Sequence, residues 1–100
     1  MRKKQYVCDA LNSAVTPDGA TVEVMGWIKS RRRHGRIAFL DIVDSTGTIQ
    51  VVAHSKSLSA CSYSAIASTP VESAVQVTGV IATRGDQREI LAETFRVIAI

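Results

Sequence analysis

A chain of 100 residues, 46% hydrophobic and 21% charged, has room for one buried core but not for that core plus a separate large catalytic lobe. Its apolar runs are short and interrupted, as in Val75 to Ala82, which excludes a bilayer-spanning helix; the basic start Met1-Arg2-Lys3-Lys4 leads into Gln5, Asp9 and Asn12 rather than the apolar stretch of a signal peptide. The net charge of +3 is modest, yet Lys29, Arg31, Arg32, Arg33 and Arg36 gather five of the 12 basic residues into one short segment without an acidic residue.

In chain order, residues 1–20 form a lead-in, with Asp9 expected to cap a helical turn through Ala10, Leu11 and Asn12, and Thr16-Pro17-Asp18-Gly19 reading as a turn. From Thr21 to Lys29, Val22, Val24 and Ile28 alternate with Gly26 in phase, the period of a half-buried strand. The basic run follows, with Gly35 at its turn. Ile37 to Val43 is a second strand and Thr48 to Ala53 a third, joined by the hairpin turn Asp44-Ser45-Thr46-Gly47. His54 to Thr69 turns rich in Ser and Ala, and Leu58, Cys61, Ala65 and Ile66 fall on one face at helical spacing. Ser73 to Thr83 and Glu89 to Ile98 complete the set as two more strands around Arg84-Gly85-Asp86. The order β-β-β-α-β-β predicts an all-β fold: a five-stranded Greek-key OB barrel over residues 21–100 with a short helix between strands three and four, forming with its lead-in a single domain over 1–100.

Parity then sorts each strand into two faces. Ala38, Leu40 and Ile42 point one way and Ile37, Phe39 and Asp41 the other; Asp41 marks its side as outward, which displays the Phe39 ring outside the barrel. In the third strand Ile49, Val51 and Ala53 are inward, leaving Gln50 on the surface that carries Phe39. An amide offers both a donor and an acceptor to an unpaired base, and an aromatic ring gives that base a platform worth about 1–3 kcal/mol. Lys29, Arg31 and Arg33 continue the outward parity of Trp27 and are expected to border the same surface as phosphate contacts. Trp27 itself reads as a structural ring covering the end of the barrel. Glu89, at the start of the last strand, could accept from a base donor, although a glutamate near a turn is commonly solvated.

No catalytic site emerges. His34 and His54 lie in no nucleophile, metal or phosphate-loop motif, and Cys8 and Cys61 read as reduced, buried thiols rather than as half of a zinc site. No metal, no cofactor and no membrane partner is implied, and a cytoplasmic location is expected.

The run Gly26 to Val52, GWIKSRRRHGRIAFLDIVDSTGTIQVV, resembles the N-terminal anticodon-binding OB domain of class IIb aminoacyl-tRNA synthetases, the aspartyl, asparaginyl and lysyl group, and Gln76-Val77-Thr78-Gly79 resembles its fourth strand. The resemblance implies that Phe39 stacks on an anticodon base, that Gln50 recognises the central uridine, that Arg33 contacts the anticodon loop and that Glu89 reads the first anticodon position. It makes the anticodon stem-loop of a tRNA the partner, and a catalytic synthetase domain or a second copy of the chain further partners. Three arginines before His34-Gly35 look more aspartyl than lysyl. Val43 stands where the family usually has arginine, and the last hairpin is short, so the amino acid stays open between aspartate and asparagine. A class II catalytic domain has no counterpart in these residues, so this chain alone is not expected to charge tRNA.

Three other readings compete. A sequence-tolerant single-strand binder would need several spaced aromatics, and the chain has five in all. An OB barrel used for protein interaction or dimerisation would be indifferent to RNA. A small nuclease would need clustered carboxylates or a histidine pair.

Overall fold

The computed structural model describes residues 4–56, 58 and 60–99. In chain order they form β1 (Lys4–Gln5), α1 (Val7–Leu11), β2 (Thr21–His34), β3 (Ile37–Asp44), β4 (Gly47–His54), α2 (Ala60–Ser68), β5 (Ala74–Arg84) and β6 (Gln87–Ala99). β2, β3 and β4 are an antiparallel meander; β4 then lies parallel to β6, β6 pairs antiparallel with β5, and β5 returns to β2. Each of these five strands thus has two neighbours, and the sheet closes on itself. β1 adds two residues parallel to β2 outside this ring. The result is the five-stranded OB barrel, with α2 between its third and fourth strands.

The core follows from strand parity. Val22, Val24 and Ile28 of β2, Ala38, Leu40 and Ile42 of β3, and Ile49, Val51 and Ala53 of β4 are all buried and meet Val75, Val77 and Ile81 of β5 and Ile90 and Phe95 of β6. Val7 and Ala10 of α1 join the same cluster, so the lead-in packs on the barrel. Close strand crossings explain two glycines: a Cβ at Gly26 would strike the Val43 carbonyl, and one at Gly79 the Leu91 carbonyl.

Four expectations need correction. The first strand does not end at Lys29: β2 continues through the basic run to His34, paired with β3 through a two-residue turn at Gly35-Arg36. The helix is shorter than 54–69, because His54 still pairs with Ile37 in β4 and α2 starts at Ala60; Leu58 and Ile66 are buried as expected, while the Cys61 side chain lies outside the described residues. Asp9 does not cap α1. Tyr6 occupies the cap position without a side-chain bond, and the first helical N–H groups go instead to the β3–β4 turn: Val7 N–H donates to Asp44 Oδ2 at 2.8 Å and Cys8 N–H to Thr46 Oγ1 at 3.0 Å. Finally, Cys8 is an exposed free thiol rather than a buried one.

Asp44 is the knot that holds the lead-in. Its Oδ1 also accepts from the Thr46 N–H at 2.7 Å, the Thr46 hydroxyl at 2.6 Å and the Gly47 N–H at 3.2 Å. Partial burial works against its charge, but the Thr46 hydroxyl and the Val7, Thr46 and Gly47 N–H groups outweigh that cost and hold the carboxyl below its ordinary pKa. A second tie is Arg88, which donates to the Ala10 carbonyl at 3.0 Å and to Asp18 at 3.2 Å. Asp18 accepts from the Thr83 hydroxyl at 2.7 Å.

Candidate nucleic-acid interface

On the outer face of β3, β4 and β6 the strand register lines up side chains in cross-strand rows. One row runs Ser30, Asp41, Gln50, Glu89; the next runs Arg32, Phe39, Val52, Leu91. Phe39 and Gln50 therefore share one surface, on adjacent strands and adjacent rows. Phe39 and Val52 are partly exposed and Leu91 is 42% exposed, which makes an apolar strip with an aromatic ring at one end.

The polar row beside it is hydrogen-bonded in two pairs, with Arg32 of the neighbouring row reaching across to one of them. Arg32 Nη2 donates to Gln50 Oε1 at 3.1 Å, Gln50 Nε2 donates to Glu89 Oε2 at 2.9 Å, and the Ser30 hydroxyl donates to Asp41 at 2.6 Å. Glu89 is only 5% exposed, unlike the glutamates commonly solvated near turns; Arg84 approaches its other oxygen at 3.7 Å, from a position mostly in solvent that gives the pair little strength. The parallel β4–β6 pairing sets Glu89 opposite Gln50. This arrangement fixes the amide. A guanidinium can only donate and a carboxylate can only accept, so flipping Gln50 would face N–H against N–H and oxygen against oxygen. One lone pair and one N–H remain unused, adjacent on the same amide. A cleft of about 560 Å³ opens beside them, its lining including Arg32, Asp41, Gln50 and Arg88.

The expected basic contacts divide differently. A β-bulge falls between Ile28 and Ser30, so Lys29 is the extra, exposed residue and the parity beyond it inverts. Arg31 and Arg33 consequently lie opposite buried Leu40 and Ala38, on the side covered by α2. Arg31 donates to the Ile66 carbonyl at 3.3 Å and to the Thr69 carbonyl, which ties down the C-terminal end of α2, and the Arg33 guanidinium sits 6.0 Å from the centre of the Tyr63 ring. The structure thus separates Arg31 and Arg33 from Phe39 and Gln50. The arginine it brings to that surface is Arg32, opposite Phe39 and 5.7 Å from its ring centre, which sequence parity had missed. Counting backward from the Gly35-Arg36 turn, rather than forward from Trp27, gives the right partner: His34 opposite Ile37, Arg33 opposite Ala38, Arg32 opposite Phe39.

Among the described residues, no three His, Cys, Asp or Glu side chains come together to hold a metal ion, and no helix is long and apolar enough to cross a membrane.

Known proteins give this surface a setting. The chain is 33% identical over 93 residues to the aspartate--tRNA(Asp/Asn) ligase of Bifidobacterium longum, covering 81% of this chain and 14% of that protein. It is 33% identical over 91 residues to the enzyme of the same name from Methanospirillum hungatei, covering 88% of this chain and 21% of the relative. The asparaginyl-tRNA synthetase of Pyrococcus horikoshii superposes with a TM-score of 0.85 at 28% identity, over 99% of this chain and 24% of that one. The chain therefore spans less than a quarter of the length of these relatives. Residues 22–98, which span the closed barrel from the second residue of β2 to the last but one of β6 and contain the whole Phe39–Gln50 surface, match the tRNA anti-codon family model, described as an OB-fold nucleic acid binding domain, and the chain belongs to that family.

Proposed function

We propose that this chain is the anticodon-binding domain of an aspartyl- or asparaginyl-tRNA synthetase, and that it reads the central uridine of the anticodon with Phe39 and Gln50. Its contribution is binding: charging of the tRNA belongs to a catalytic domain outside these residues. The observation that carries the reading is the locked amide of Gln50 beside the Phe39 ring. Uracil presents a carbonyl oxygen next to an N–H donor, the complement of the N–H and lone pair that Gln50 has left. Cytosine presents the reverse pattern, an amino donor next to a ring acceptor, and the amide cannot turn to meet it without losing both neighbours. Stacking on Phe39 supplies affinity for any base; the fixed amide supplies the choice. Arg32 joins the site in place of Arg31 and Arg33, and Glu89 acts on the central base through Gln50.

Binding of anticodon stem-loops carrying GUC, GUU, UUU and GCC, by the wild type and by Phe39→Ala, tests this reading. The three uridine loops are expected to bind more tightly than GCC, and Phe39→Ala to weaken all of them. Equal binding of GUC and GCC by the wild type would leave the chain with the fold and no anticodon reading.

A further inference from the structure

Beyond the Phe39 row the same face continues toward the β2–β3 turn. His34 lies opposite Ile37 and Ile37 opposite His54, so two imidazoles flank one isoleucine across three neighbouring strands. All three share the parity of Phe39, two residues further along each strand, a step of about 6.6 Å. The His34 ring meets Phe39 edge-on with centroids 6.2 Å apart. The Lys56 backbone N–H donates to His54 Nδ1 at 3.3 Å, which puts the proton of the neutral ring on Nε2 and leaves that nitrogen as a donor.

Two cations stand at this end of the face. Ser55 N–H donates to the Arg36 carbonyl at 3.0 Å and draws the β2–β3 turn against the residues after β4, so that exposed Arg36 and exposed Lys56 lie in the segments that adjoin the histidine row. Most other arginines have protein partners: Arg31 the end of α2, Arg32 Gln50, Arg33 the Tyr63 ring, Arg84 Glu89, and Arg88 Asp18. Among the described residues the side chains of Arg36 and Lys56 have none, and neither ion pair of the barrel reaches this end. Unneutralised cations beside imidazole donors and a small apolar floor form an environment for a sugar-phosphate.

We propose that His34, Ile37, His54, Arg36 and Lys56 form a second nucleotide subsite, which takes the ribose and phosphodiester of the nucleotide adjoining the base on Phe39. This rests on the reading of Phe39 and Gln50 as the base-reading pair, and adds the direction in which the RNA strand leaves them. Ile37 and the ring faces support the ribose; the imidazole N–H groups and the two cations donate to phosphate oxygens. Nothing here fixes a donor beside an acceptor as Gln50 does, so the subsite adds affinity without sequence preference.

The test is a titration of the whole chain with GUC and GCC stem-loops over a range of salt concentrations, for the wild type, R36Q/K56Q and H54L. The double variant is expected to lose roughly tenfold in affinity at low salt for both loops alike. Its plot of log affinity against log salt should be shallower by about 1.4, at about 0.7 per lost phosphate contact. H54L should lose affinity equally for both loops, roughly threefold. Unchanged affinity and slope in both variants would overturn the subsite even with the wild-type preference for GUC intact, and so would a loss confined to one loop. Absence of that preference in the wild type, with the uniform losses present, overturns the base reading and leaves the phosphate platform standing; a wild type that binds neither loop overturns both.

Discussion

Asp44 and Gln50 both sit at the centre of polar networks on the outside of the same barrel, and they are built to opposite ends. The Asp44 carboxylate takes four donors, from Val7, Thr46 and Gly47, and α1 is docked by the result. Gln50 has one neighbour on its oxygen and one on its nitrogen, and half of its hydrogen-bonding capacity is unspent. A saturated network holds structure; a half-filled, rigidly oriented one is prepared for a partner. The contrast extends to the arginines. Arg31 is spent on the carbonyls at the end of α2, whereas Arg32, one residue along, orients the Gln50 amide.

Substitutions should separate the two kinds of site. The largest effect on folding is expected from Asp44→Ala, which strips the first turn of α1 of its acceptor and costs about 2–3 kcal/mol, seen as a lower urea midpoint with the GUC preference unchanged. Acid should do the same by titration. The folded-state pKa of Asp44 lies below its ordinary value, so its contribution is complete above about pH 5 and disappears as pH falls through that depressed value. The urea midpoint of the wild type should accordingly drop more steeply in acid than that of Asp44→Ala.

Phe39→Ala reverses the pattern: about 1–3 kcal/mol of RNA affinity is lost while the partly exposed ring costs the fold little, which calorimetric titration alongside thermal melting would distinguish. Arg31→Ala should lower stability by about 1–2 kcal/mol through the freed α2 carbonyls and leave loop discrimination alone. The smallest and most specific change is expected from Glu89→Gln. A neutral amide can both donate and accept, so Arg32 alone is left to oppose a flip of Gln50, and the GUC-to-GCC preference should narrow by about 1 kcal/mol with GUC affinity nearly kept.

The inward faces of β2, β3 and β4 were legible because alternation over a closed barrel admits one solution: Leu40 and Val51 cannot be buried unless Phe39 and Gln50 face out. The placement of those two residues on one surface followed from that alone. What alternation read forward along each strand could not supply was anything set by a local irregularity or by distant pairing. The bulge at Lys29 leaves no mark in composition, yet it exchanges the roles of Arg31 and Arg32. The docking of α1 on Asp44 joins residues 37 apart, and the burial of Glu89 depends on the parallel β4–β6 closure, which the order of strands does not reveal without their register.

The most direct test of the locked amide is to follow the two side-chain N–H protons of Gln50 by NMR while adding the GUC loop and then the GCC loop. The proton bonded to Glu89 is expected to stay in place, and the other to move strongly with GUC and hardly with GCC. If neither proton responds, or both respond alike to either loop, Gln50 does not read the base and the central claim is wrong.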